Sequence, residues 1–72
     1  MKAVSGKAFA RILESQGWAL RRINGSHHID AKQRNPARIS IPIHGNKTLG
    51  VGLLRSFLKA ADLPESILER RP

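Results

Sequence analysis

The chain has 72 residues, with thirteen Lys and Arg against five Asp and Glu, which gives a formal net charge of +8. So short a chain buries only about 60% of its unfolded surface, so we expect one domain over residues 1–72 with a thin core. We therefore expect no deep ligand cavity. The absence of cysteine also excludes disulfides and thiolate metal sites.

One long tract of the chain carries positive charge without any acidic residue. From Ala31 to Ala61 there are six basic residues and no acidic one. Such a tract in a small protein favours a polyanionic partner, either nucleic acid or an acidic protein. The N-terminal sequence from Met1 to Val4 leads into a helical pattern without a long apolar stretch. We therefore expect a cytoplasmic protein with no signal peptide and no membrane partner.

A first helix is predicted from about Gly6 to Gln16. Ser5 is a suitable N-cap, and Gly17 supplies the positive φ favoured just after a helix. The apolar residues recur at the spacing of one helical face, namely Phe9, Ile12 and Leu13.

A β-hairpin follows, with strands predicted at Trp18 to Ile23 and His27 to Ala31. The Asn24-Gly25 pair between them is a strong turn signal because both residues tolerate positive φ. Strict alternation places His27 on the face that packs against the helices, with Ile29 and Ala31. The same alternation places His28 on the open face, beside Asp30.

The third strand is predicted at Arg38 to Ile43, after a polar loop from Lys32 to Pro36. Its isoleucines Ile39, Ile41 and Ile43 alternate with polar residues, which is typical of a strand buried on one face. Pro42 cannot donate a ladder hydrogen bond and therefore indicates that the strand lies at an edge or ends there.

A loop from His44 to Thr48 precedes the second helix, which ends at Asp62 to Pro64. One further turn is predicted from Glu65 to Arg70. The apolar stripe of the second helix consists of Leu54, Phe57, Leu58 and Ala61. The predicted fold is α+β, in the order α-β-β-β-α, with both helices on the isoleucine face of a three-stranded antiparallel sheet.

Four motifs occur in an order found in one family. They are Gly17-Trp18, Gly25-Ser26-His27-His28, the Ile41–Lys47 segment with its Pro and His, and the Leu54–Leu63 segment Leu-Arg-Ser-Phe-Leu-Lys-Ala-Ala-Asp-Leu. In these motifs, from about Ser5 to Leu63, the chain resembles HicA-type toxins. It departs from the usual family pattern at Gln33–Ala37, where Pro-Asp-Gly is common, and at Val51–Leu53, where Pro-Gly-Thr is common.

The resemblance implies a fold like that of double-stranded-RNA-binding domains. It also implies an mRNA endonuclease from a type II toxin–antitoxin pair, inhibited by a HicB-type antitoxin. The toxin would be a monomer alone and part of a larger hetero-complex with the antitoxin. By the same resemblance His27 is the catalytic residue, and Gly25 and Ser26 support it in the turn.

The chemistry of RNA cleavage is compatible with these residue types. The 2′-hydroxyl is a built-in nucleophile, so a histidine can take its proton without a metal or other cofactor. The chain shows no carboxylate cluster suited to two metal ions, and its histidines lack the spacing of a zinc site. The alternative interpretation of His27 is a partly buried histidine whose hydrogen bonds are satisfied by the protein.

Other polar residues are candidates for RNA contacts, each with the alternative of plain solvation. They are His28, Arg38, His44, Lys47, Arg55 and Lys59. Trp18 is interpreted as a core residue, and no aromatic surface for stacking bases is predicted. Besides a ribonuclease toxin, the sequence is compatible with a non-catalytic RNA-binding module or a protein-interaction domain with a basic face.

Overall fold

The computed structural model describes residues 3–69 and confirms the predicted order of elements. Two helices and a final 3-10 turn flank a three-stranded sheet. The elements are α1 (Gly6–Ser15), β1 (Ala19–Asn24), β2 (His27–Lys32), β3 (Asn35–Pro42), α2 (Val51–Ala61) and η1 (Glu65–Glu69). Residues 1–2 and 70–72, including the end of the predicted last turn, lie outside the described residues.

The ends of α1 are stabilised as the sequence predicts. Ser5 is the N-cap, and its hydroxyl accepts a hydrogen bond of 3.1 Å from the amide of Ala8. This bond satisfies one of the amides that a helix leaves unpaired at its start. Gly17 follows the C-cap with φ +92°, a conformation that costs glycine little. Trp18 is then buried beneath the helix with only 3% of its surface exposed.

The sheet is antiparallel in the order β1-β2-β3, which leaves β1 and β3 at the edges. The prediction of an edge strand from Pro42 is therefore confirmed. The predicted loop over Lys32–Pro36 is wrong: β3 begins at Asn35, and only Gln33 and Arg34 connect the two strands. Pro36 indicated a break in the sequence, yet an edge strand accommodates proline because its outer amides need no partner.

Both helices cover the same face of the sheet. Ile39 and Ile41 of β3 are almost completely buried under α1 and α2, and the Phe9 and Phe57 rings of the two helices stack with centroids 5.8 Å apart. Ile43, predicted on this face, is half-buried. The opposite face, which we call the open face, is covered by no helix of residues 3–69. Within residues 3–69 neither helix has the length and apolar content needed to cross a bilayer.

Candidate active site and nucleic-acid interface

The turn between β1 and β2 places His27 at the start of the central strand. Asn24 pairs with His27 in the ladder, so the two residues of the loop are Gly25 and Ser26. Gly25 has φ +63°, and Asn24 and Ser26 are not among the residues with positive φ. Positive φ at the first loop residue alone is the pattern of a type II′ turn. The predicted need for positive φ at Gly25 is confirmed, although Asn24 belongs to the strand.

His27 lies on the open face, contrary to the alternation drawn from the sequence. Its side chain is exposed, and its ladder partners are Asn24 on β1 and Pro42 on β3. Residues paired directly across a sheet share a face. Ile41 and Ile39, which face the helices, pair with His28 and Asp30. The face predicted for each of these β2 residues was therefore wrong, and the interpretation of His27 as a buried histidine is excluded.

A second imidazole lies at the same end of the sheet. The Nε2 atom of His44 is 3.4 Å from the hydroxyl oxygen of Ser26. The amide of Ile43 donates a 2.8 Å hydrogen bond to the carbonyl oxygen of Ser26, which ties the end of β3 to the turn. Lys47 stays near because its amide donates to the carbonyl oxygen of His44 at 3.1 Å. His27 thus begins β2, while His44 and Lys47 belong to the loop that follows β3 at the same end of the sheet.

His28 lies in a different environment from His27. It is half-buried and lines a cleft of about 470 Å³ on the helix side, together with Lys7 and Arg11 of α1. The sequence placed His28 on the open face with Arg38 and His44, whereas the structure places it on the face that packs against the helices. Lys7 and Arg11 were not candidates from the sequence, although their i, i+4 spacing places them on one side of the helix.

Asp30 is buried on the same side, with 2% of its surface exposed. Burial raises the pKa of its carboxyl group, the charge of Glu14 on α1 raises it further, and His28 opposes the rise. A carboxyl whose pKa is higher in the folded than in the unfolded state favours folding when protonated, and this contribution is lost as pH rises through the folded-state pKa. Protonation of Asp30 therefore affects the free energy of unfolding. The Asp30 side chain lies on the face of the sheet opposite His27.

The remaining basic candidates do not form one surface. Arg38 is exposed on the open face, but at the far end of the sheet from Lys47. Arg55 and Lys59 are exposed on α2, on the opposite side of the sheet from His27, and Arg55 Nε lies 3.8 Å from a Glu65 carboxylate oxygen. At such exposure this ion pair contributes little stability.

Sequence reasoning missed Arg22. It pairs with Ile29, and both side chains share the open face with His27. Relative to His27 it is a diagonal cross-strand neighbour, a position roughly 7–8 Å away between strand backbones. The irregular register between Leu20 and Arg22 hides this in the sequence, because it interrupts the alternation of β1.

The comparisons with known proteins agree with this architecture. No curated protein matches the chain. A family model described as the HicA toxin of bacterial toxin–antitoxin systems matches residues 6–63, which spans the structure from the first residue of α1 to just beyond α2. Since this match covers most of the 72 residues, the chain belongs to the HicA toxin family of bacterial toxin–antitoxin systems.

Proposed function

We propose that this toxin is an mRNA endoribonuclease of the cytoplasm that uses His27 as its catalytic residue and is neutralised by a HicB-type antitoxin. The supporting observation is the exposed imidazole of His27 at the rim of an uncovered sheet face, with His44 and Lys47 at the same end. A large RNA can reach this position without any opening of the fold. The active unit would be the single domain of residues 1–72.

The proposed reaction uses the 2′-hydroxyl of RNA as the nucleophile. His27 takes the 2′-hydroxyl proton as a general base, the oxygen attacks the adjacent phosphorus, and the bond to the 5′-oxygen breaks. The leaving 5′-oxygen receives a proton from a general acid. The products are a 2′,3′-cyclic phosphate and a 5′-hydroxyl, and no water is consumed.

His44 is the better candidate for the assisting imidazole. It lies at the His27 end of the sheet beside Ser26, whereas His28 faces the helices. Arg22 is the cation best placed to stabilise charge on the phosphorane oxygens, because it shares the open face with His27, and Lys47 in the loop after β3 is a second candidate. Ser26 would position His44, and Gly25 would position His27.

The proposed mechanism needs no metal ion. Among residues 3–69 no three His, Asp or Glu side chains lie close enough together to hold one. Asp30, the acid nearest in sequence to His27, is buried on the other face. The proton transfers are therefore assigned to imidazoles alone.

The experiment is RNA cleavage by the purified toxin in the presence of a chelator. We expect cleavage to persist and the fragments to carry 2′,3′-cyclic phosphates. Cleavage that requires added metal would contradict the mechanism. RNA binding without any cleavage would instead support the alternative of a non-catalytic RNA-binding module.

We expect Gly25→Val to lower activity more than stability. A β-branched residue disfavours the φ of +63° found at Gly25, at a cost of roughly 1 kcal/mol or more. Apart from its neighbours in the chain, no residue comes within 4 Å of the point where a Cβ atom on Gly25 would stand, so the cost comes from the backbone and not from a clash. The turn would relax and move His27. Thermal unfolding and cleavage rate should be measured on the same samples.

Gly25→Asn is the matched control, because asparagine is accepted at positive-φ turn positions. It should retain more stability and more cleavage than the valine variant. A valine variant as stable and active as the parent would show that the turn does not hold His27 in place.

A further inference from the structure

A basic cleft lies on the open face at the end of the sheet far from His27. It surrounds the two-residue turn between β2 and β3 and has a volume of about 970 Å³. Four cationic side chains line it, and no acidic residue does. They are Arg21, Lys32, Arg34 and Arg38.

Irregularities of the sheet create this concavity. The β1–β2 register shifts between Leu20 and Arg22, which leaves Arg21 without a ladder partner on β2. The β2–β3 register shifts between Ala31 and Lys32. Such bulges bend a strand and increase its twist. Arg34 occupies the turn with φ +69°, a value uncommon for a residue other than glycine.

The four cations are not neutralised within the described part of the chain. All four are exposed, and the ion pair found among residues 3–69 joins Arg55 to Glu65, away from this cleft. Like charges gathered at one concave surface raise the local potential and attract anions. The volume is too large for a single inorganic ion and suits a larger anionic ligand.

The cleft and His27 belong to one continuous surface. Three rows of paired residues cross the open face: the first contains His27, the second Arg22 with Ile29, and the third Ala31 with Arg38. His27 and Ala31 are four residues apart on β2, which corresponds to about 13 Å at the rise of a strand. Arg22 lies between them, so positive charge continues from the cleft to His27.

RNA fits this surface better than an acidic protein does. Protein interfaces depend on apolar or aromatic anchors at their centre. Here the exposed apolar residues of β1, Leu20 and Ile23, pair with Asp30 and His28 and so face the other side. A row of cations without aromatic side chains matches a phosphate backbone, which carries one charge per nucleotide.

We propose that this cleft binds backbone phosphates of the RNA several nucleotides from the bond that is cut, so that the RNA runs along β2 from His27 to Arg34. The inference rests on the proposed function, since it assigns RNA as the substrate. It adds a docking site that fixes the direction of the RNA across the sheet. Phosphate contacts of this kind carry no base information, so the site contributes affinity and not sequence preference.

The test compares two double variants with equal loss of charge. The cleft variant is Arg34→Gln with Arg38→Gln, and the control is Arg55→Gln with Lys59→Gln on the opposite side of the molecule. The probe is a 2′-O-methyl oligoribonucleotide, which lacks the nucleophile and stays intact whatever the catalytic residue is. Its Kd is measured for the parent and both variants across a series of salt concentrations.

For the cleft variant we expect a Kd at least about tenfold higher at low salt and a salt slope smaller by roughly 1.4, because each lost single-strand phosphate contact removes about 0.7. The control should keep the slope of the parent. A cleft variant with the slope and Kd of the parent would overturn the proposal, as would equal losses in both variants. A cleft variant that keeps its RNA affinity but loses antitoxin binding would also overturn the proposal, and would indicate that the cleft is a protein docking surface.

Cleavage of the unmodified oligoribonucleotide by the parent protein is measured in parallel. If the parent cleaves RNA and the cleft variant binds RNA as the parent does, the nuclease proposal stands and the proposed RNA-binding role of the cleft is wrong. If the cleft variant loses RNA binding and the parent does not cleave RNA, the nuclease proposal is wrong and the RNA-binding role of the cleft is supported. The two proposals therefore fail separately.

Discussion

Replacing His27 with alanine is expected to lower RNA cleavage by about 10²- to 10⁴-fold, the range that one general acid or base contributes. His27 is exposed on the open face and takes no part in the apolar core. Surface substitutions of this kind change the free energy of unfolding by less than about 0.5 kcal/mol. The variant should therefore unfold at the temperature of the parent and no longer arrest growth.

His28→Ala is the matched control, because it removes an adjacent imidazole on the other side of the same strand. It should retain cleavage, since His28 faces Lys7 and Arg11 and not the His27 surface. Circular dichroism and cleavage rate are measured for both variants. A His27 variant that cleaves RNA at the rate of the parent would remove His27 from the mechanism, and one that fails to fold would assign it a structural role.

Local signals predicted most of the fold. Ser5 and Gly17 mark the ends of α1 because a side-chain cap and a positive φ are needed there, and both features are found. Ile39 and Ile41 identify β3 because their alternation is unbroken, and both are buried. In each case the physical requirement lies within a few residues of the signal, so the sequence alone reveals it.

The orientation of β2 could not be obtained in this way. The strand contains one isoleucine, one alanine, one aspartate and two histidines before Lys32, which is too weak a pattern to select a face. Its orientation is set by pairing with β3, where Ile39 stands opposite Asp30. Successive residues of a strand face opposite sides, so assigning Ile29 and Ala31 to the packed face also assigned His27 to it. The pairing with β3 places His28 and Asp30 on that face instead.

The basic cleft was also beyond prediction from sequence. Its four cations come from three strands and a turn, and two register shifts bring them together. Such shifts leave no reliable signal in an isolated chain. Lys47 and Arg38, which the sequence suggested for one surface, lie at opposite ends of the sheet.

The second large effect is expected at Gly6, the first residue of α1. A Cβ atom on Gly6 would overlap the carbonyl oxygen of Pro42 and lie 3.3 Å from Cγ1 of Ile43. Overpacking of this kind costs about 1–3 kcal/mol, which outweighs the gain of up to about 1 kcal/mol from alanine in a helix. For a domain of this size Gly6→Ala should lower Tm by roughly 4–8 °C per kcal/mol of destabilisation.

The same substitution should also lower RNA cleavage, because Pro42 is the β3 partner of His27 in the ladder. Moving Pro42 away from α1 shifts the strand that supports the catalytic imidazole. Gly52→Ala, at the second residue of α2, is the control. Apart from chain neighbours and the helix's own backbone, nothing lies within 4 Å of its Cβ position, so it should leave cleavage unchanged and raise stability by up to about 1 kcal/mol. A Gly6→Ala protein with the Tm and cleavage rate of the parent would show that the close contact between α1 and the end of β3 does not position His27.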